Sequence, residues 1–193
     1  LPRVFTIHGF IHEDTLYGGG WKAWVRSRLW RRAEISSWSE QPHIISISPY
    51  VRERLRGIAR GVIHDIENPI APECFQRQRN EQSGTIFCAA VICDRKNTLG
   101  LVKTFALLAR KKPDVQLRLA GSAPDPAYEQ IIRRYIKEHD LSAKIKLLGP
   151  IPVDQIRNEL VTASIFALLS FEEGAPMGIA EAMAMGVPVV TSN

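Results

Sequence analysis

From residue 84 onward, short apolar runs alternate with amphipathic stretches. "TIFCAAVIC" (85–93) reads as a buried strand, and a helical stretch from about Asn97 to Lys111 follows it. "VQLRLAG" (115–121) is the next strand. In "PAYEQIIRRYIKEHDL", residues Tyr128, Ile131, Ile132, Tyr135 and Ile136 fall on one helical face. "KIKLLG" (144–149), "VDQIRNELVTA" (153–163) and "SIFALLS" (164–170) continue the alternation. "EEGAPMGIAEAMAMGVPVV" (172–190) supplies a last helix, stopped at Gly186, and a last strand, "PVVTS". This order predicts an α/β unit: a parallel sheet with helices on both faces, holding its ligand beyond the C-terminal ends of the strands.

The first third of the chain is organised differently. "VFTI" (4–7) is a plausible strand that ends at His8-Gly9, and "HIISIS" (43–48) is another. Ser48 caps a helix whose first turn holds Pro49. "ENPIAPECFQRQRNEQSG" (67–84) has two prolines and a polar tail, so we expect a first unit over 1–68, a linker over 69–84 and a second unit over 85–193. "YGGGW" (17–21) reads as a flexible loop.

Composition narrows the setting without naming a function. Hydrophobic content of 45% and charged content of 23% are ordinary for a soluble domain. A net charge of +5 is a mild excess that suits anionic partners. Cys74, Cys88 and Cys93 lack metal-ligand spacing and read as reduced thiols of a cytoplasmic protein. No apolar run reaches the roughly 18 residues of a membrane span. The chain opens at Leu1 and stops just after an apolar run, so a fragment is expected. "WKAWVRSRLWRRAE" (21–34) interleaves three tryptophans with five basic residues. A packed helix with a solvated basic edge is the expectation; contact with an acidic membrane surface or lipid-linked acceptor, and stacking on nucleic acid, stay open beside it.

The chemistry concentrates near the end. Strand 164–170 ends at Ser170, so "FEEGA" lies in the ligand-facing loop. Pro176 suits the first turn of the next helix, and Glu181 falls about one turn further in. Free N–H groups at such a helix start attract phosphate, whereas carboxylates accept from hydroxyls. A pyrophosphate flanked by hydroxyl-rich rings would use all of them, which describes a nucleotide sugar.

Glu173-x7-Glu181 followed by "EAMAMGVPVV" resembles the E-x7-E signature of family-4 retaining glycosyltransferases. "LRLAGSAPDPAYEQII", "KIKLLGPIPVDQIRNELVTASIFALLS", "DRKN" (94–97) and "HIISISPYVRERL…IENPI" extend the likeness over nearly the whole chain. The resemblance implies the GT-B type, two Rossmann-like domains of which the first is partial here and the second, the nucleotide-sugar-binding one, lacks its last elements. It implies that Lys96 contacts the donor phosphates, that Glu181 holds the ribose hydroxyls and that Glu173 faces the transferred sugar. Gly174, Ala175, Pro176, Met177 and Gly178 would border the sugar and phosphates, and Gly149, Pro150 and Ile151 the base. His8 matches a family histidine facing the donor sugar, with a capping or surface role as its alternative. Members often carry Gly-Arg before the lysine; here those positions read Ala90-Val91, so that phosphate contact is missing or comes from Arg95.

The expected function is therefore retaining, metal-independent transfer of a sugar from a nucleoside-diphosphate sugar to a hydroxyl of a glycan or lipid-linked acceptor, with no cofactor. A shortened, non-catalytic nucleotide- or sugar-binding module is the alternative. No Asp-x-Asp pair occurs, His-Asp-x-Glu at 64–67 is too loose for a metal site, and no G-x-G-x-x-G follows a strand. Nucleic acid is not an expected partner. Exposed sheet edges predict self-association, and the expected location is the cytoplasm, extending to the inner face of a membrane.

Overall fold

A computed structural model describes residues 3–192. The chain forms two compact units: the residues up to Pro69 with Glu173–Ala175, and Ile70–Glu172 with the chain from Pro176 onward.

In the first unit, strands β1 (Phe5–Ile7), β2 (His43–Ser46) and β3 (Val62–Asp65) pair in parallel in the order β1-β2-β3. Helix α1 (Ile11–Asp14) and a 3-10 turn (Thr15–Gly18) lead into the long helix α2 (Gly20–Ser39). The glycines expected to form a flexible loop thus belong to an ordered entry, with Gly19 and Gly20 at φ 67° and 77°. Helix α3 (Pro49–Leu55) starts as its residues dictate: Ser48 Oγ accepts from the Val51 N–H at 3.3 Å, and Pro49 fills the first turn. Ile7, Phe10, Trp38, Ile44, Val51 and Leu55 form the core.

Helix α2 departs from expectation. Its inward side carries Ala23, Ser27, Glu34 and Trp38. Glu34 accepts from the backbone N–H of Ile11 at 2.8 Å and of His12 at 3.2 Å, and its Oε2 lies 2.6 Å from His12 Nδ1. Ser27 Oγ donates to the His12 carbonyl at 2.6 Å. Trp21 and Trp24 face solvent. The exposed side is therefore aromatic as well as basic, which corrects the expected basic edge.

In the second unit, β4 (Thr85–Ala89), β5 (Gln116–Ala120), β6 (Ile145–Gly149), β7 (Ile165–Leu168) and β8 (Val189–Thr191) form a parallel sheet in the order β6-β5-β4-β7-β8. Helices α5 (Thr98–Lys111), α6 (Pro126–Glu138), α7 (Val153–Thr162) and α8 (Met177–Ala184) connect them. Phe87 and Phe166, fully buried, meet edge-on at the sheet centre with ring centroids 6.2 Å apart. The α6 face is narrower than predicted. Ile132 and Ile136 are buried, but Ile131 is 48% exposed.

The stretch 69–84, expected as a linker, is mostly irregular but packed at points on the second unit. It holds helix α4 (Glu73–Gln76), and Cys74 is fully buried in the second core. Arg79 donates to the carbonyls of Ala163 at 2.7 Å and Gly186 at 3.0 Å, which ties the segment to the second unit. Cys74, Cys88 and Cys93 are free thiols.

Candidate functional site

The strand order of the second sheet reverses at β4: β5 and β6 lie to one side of it, β7 and β8 to the other. Such a switch point opens a crevice beyond the strand ends, because the loops there run off in opposite directions. A cavity of about 300 Å³ occupies this place. It is lined by Ala89 and Ala90 at the end of β4, Ala120, Gly121 and Ser122 at the end of β5, Pro150 and Ile151 after β6, Ile156 of α7, and Gly178 and Glu181 of α8. Its walls are small or aliphatic, and Glu181 is the charged side chain among these lining residues.

Backbone packing sets the shape of that crevice. The chain at Gly121 adopts φ 149°, and an ideal Cβ there would collide with the Ala90 carbonyl oxygen. Only glycine lets the ends of β4 and β5 come this close. The Ala90 N–H donates to the Ala120 carbonyl at 2.9 Å, the Ile92 N–H to Ser122 at 2.8 Å, and the Gly121 N–H to Gly149 at 2.9 Å. Adjacent strand ends are thus hydrogen-bonded past the sheet itself.

Helix α8 begins at Met177 with Pro176 in the N-cap position, one residue later than the sequence implied. Pro176 has no N–H to offer; Met177 and Gly178 do, and first-turn amides lack intrahelical acceptors. Glu181 follows one turn later on the side that borders the cavity.

Lys96 sits half-buried in the turn before α5, and Asn97 after it takes the left-handed conformation at φ 50°. The Tyr128 hydroxyl accepts from the Leu99 N–H at 3.1 Å in the first turn of that helix. Burial raises the Tyr128 pKa above its ordinary value, and the hydrogen bond opposes that rise only in part. Arg95 is committed on two sides. Its Nη1 donates to the Glu172 carbonyl at 3.2 Å, and its own carbonyl accepts from the Phe171 N–H at 2.9 Å. The loop after β4 is thereby clasped to the loop after β7.

The structure brings together Pro150, Ile151, Gly178 and Glu181 of the residues predicted from sequence. Lys96 and Arg95 belong to the same unit but are not lining residues of this cavity. Gly149 ends β6 at φ 69° next to it. Glu173, Gly174 and Ala175 cluster with the first unit. There Ser48 Oγ donates to the Gly174 carbonyl at 2.6 Å, and an ideal Cβ on Gly174 would lie 2.9 Å from the His8 carbonyl oxygen. His8 itself is exposed at the end of β1 and lines a separate first-unit cavity of about 620 Å³ with Ile11, Trp30 and Glu34. Sequence reasoning assigns no role to Ala89, Ala120, Gly121, Ser122 or Ile156. The "LAGS" turn (119–122) is the one available signal for Ala120, Gly121 and Ser122.

Among the described residues no three His, Cys, Asp or Glu side chains gather into a metal-holding group. Among them, too, no helix is long and apolar enough to cross a membrane.

Comparison with known proteins adds family evidence. A family model described as "Glycosyl transferases group 1" matches residues 71–193. One component of the human phosphatidylinositol N-acetylglucosaminyltransferase is 29% identical over 100% of this chain and 38% of its own length. A GDP-mannose-dependent monoacylated alpha-(1-6)-phosphatidylinositol monomannoside mannosyltransferase of Corynebacterium glutamicum is 31% identical over 65% of this chain and 35% of its own. The chain thus spans under two fifths of the length of either relative. Among solved structures, sucrose-phosphate synthase from Thermosynechococcus elongatus superposes with a TM-score of 0.80 at 21% identity, covering 99% of this chain and 50% of that one. Anabaena HepE in complex with UDP-glucose gives 0.79 at 17% identity, covering 98% and 53%. At these identities the likeness establishes the fold, which is GT-B.

Proposed function

The chain belongs to the glycosyl transferases group 1 family, and from that premise we propose that it takes part in moving a sugar from a nucleoside-diphosphate sugar to a hydroxyl of a glycan or lipid-linked acceptor. The relatives named above, two of which carry phosphatidylinositol in their names, favour a lipid-linked acceptor. One observation carries the donor assignment: a cavity at the switch point that combines aliphatic walls, a helix start and a single carboxylate.

Each wall suits one part of such a donor. Ile151 and Ile156 offer apolar contact to a flat base. Glu181 accepts from the ribose hydroxyls, since an ionised carboxylate only accepts. The amides of Met177 and Gly178 face phosphate oxygens, favoured by the helix dipole. Lys96 stabilises the negative charge that grows on the departing diphosphate. Glu173 accepts from hydroxyls of the transferred sugar. Arg95, clasped to Glu172, holds the lysine loop in place rather than supplying the absent arginine contact.

Retention follows from a front-face route. The bond from the anomeric carbon to the phosphate oxygen breaks with its electron pair going to phosphate. The acceptor oxygen bonds the same face of that carbon, and its proton passes to a phosphate oxygen. Lys96 and the α8 start supply the charge compensation, so the reaction is proposed to need no metal. The lack of an Asp-x-Asp pair supports this.

Calorimetric titration of nucleoside diphosphates, their sugars and the parent nucleosides tests the reading, run with and without a strong chelator. Binding of at least one diphosphate should survive chelation. Lys96→Ala should weaken the diphosphate by roughly tenfold to a hundredfold, the worth of a charged hydrogen bond, and leave the nucleoside nearly unchanged. No affinity for any diphosphate, or a site that refills only with magnesium or manganese, would overturn it.

A further inference from the structure

The outward face of α2 carries chemistry that sugar transfer does not use. Trp21, Trp24, Val25, Arg28, Leu29 and Arg32 follow the i, i+3, i+4, i+7, i+8, i+11 spacing of one helical stripe, and all six are exposed. Trp21 is 73% exposed and Leu29 61%. The opposite side buries Ser27 and Glu34 beside Ala23 and Trp38, so polar groups share the inward face while large apolar residues stand outside. Cations interleave the stripe. Arg28 stacks on the Trp24 ring at 4.4 Å, and Lys22 Nζ lies 5.9 Å from the Trp21 ring centre. Residues 21–32 contain five cations and no carboxylate.

We propose that α2 is a membrane-surface helix whose outward face seats in the headgroup region of a bilayer rich in anionic phospholipid. Tryptophan rings partition to that region because they pair an apolar body with a polar N–H. Arginine and lysine stems lie along apolar surface while their charged heads meet phosphate. Nucleic acid is a poorer fit: Val25 and Leu29 gain nothing against a polyanion, and the Trp24 ring already carries a guanidinium. A second copy of the chain would bring five cations against five. The proposal does not rest on the transferase assignment, because no group of the donor cavity takes part.

Co-sedimentation of the whole chain with phosphatidylcholine vesicles, with and without phosphatidylglycerol, tests it alongside tryptophan emission. The chain should pellet with the anionic vesicles, shift its emission to the blue, and release as salt rises. Trp21→Ser/Trp24→Ser should lower the partition coefficient by roughly tenfold or more. Arg28→Ser/Arg32→Ser should lower it by roughly fivefold per arginine. Neither pair should move the thermal midpoint, since every replaced side chain is exposed. Equal partition of parent and variants overturns the proposal. So does tight binding to an RNA oligomer without vesicle binding, or a dimer that the tryptophan pair dissolves in a chain that ignores vesicles.

Discussion

Helix α6 turns Ile132 and Ile136 inward and leaves Arg133, Arg134 and Lys137 in water, whereas α2 turns Ser27 and Glu34 inward and leaves Trp21, Trp24 and Leu29 in water. The first helix is held by the transfer of apolar surface out of water. The second combines the packing of Trp38 in the first core with directional bonds, above all the Glu34 carboxylate that accepts from the Ile11 and His12 backbone. Where Trp38 and the Glu34 hydrogen bonds hold the inner face, the apolar residues of the outer face are free of folding duty. The difference teaches that large apolar residues on a helix do not by themselves say which way it faces.

Four measurements would break or sharpen that contrast. Ile132→Ala should cost most, about 3 kcal/mol by chemical denaturation, because it empties a fully enclosed site. Glu34→Ala should cost about 2 kcal/mol, because it strands two backbone donors beneath α2; a loss below half a kcal/mol would mean that packing, not the carboxylate, holds the helix. Glu181→Gln should leave stability alone and weaken nucleoside-diphosphate binding by about tenfold, an amide being a poorer acceptor for hydroxyls. Leu29→Ser should change stability least, within about 0.5 kcal/mol. A larger destabilisation there would show that the outer face of α2 contributes to folding after all.

Legibility in the sequence follows the same division. From Thr85 to Thr191 the period of apolar residues names every strand and every long helix, because strands β4 to β7 bury apolar side chains and β8 is itself an apolar run after Gly186. Strand β3 escapes such a reading: "VIHD" is mostly exposed, has no apolar alternation, and shows only a loose set of metal-ligand types. Helices α1 and α4, at four residues each, are too short for a period to show. In the switch-point cavity Glu181, Pro150 and Ile151 are readable from motif and position. Ala89, Ala120 and Gly121 are not, because they serve by what their side chains leave out, and a missing side chain carries no chemical signal. The facing of α2 is beyond reach for a related reason. Its inner face is chosen by Glu34 meeting the chain at Ile11, a contact 23 positions away.

The clasp at Arg95 has a thermodynamic meaning for whatever enters the crevice. Two hydrogen bonds join Arg95 to Phe171 and Glu172, on the loops that lead to Lys96 on one side and toward Glu173 on the other. Holding a residue to one backbone conformation costs about 1–2 kcal/mol in entropy. Here that cost is met when the chain folds, not when a ligand arrives. The loop is preorganised at this point, so the phosphate contact proposed for Lys96 would register in affinity with less of it lost to loop ordering. Arg95→Ala should therefore appear in titration as a more unfavourable entropy of binding, even if the bound complex makes every contact it made before.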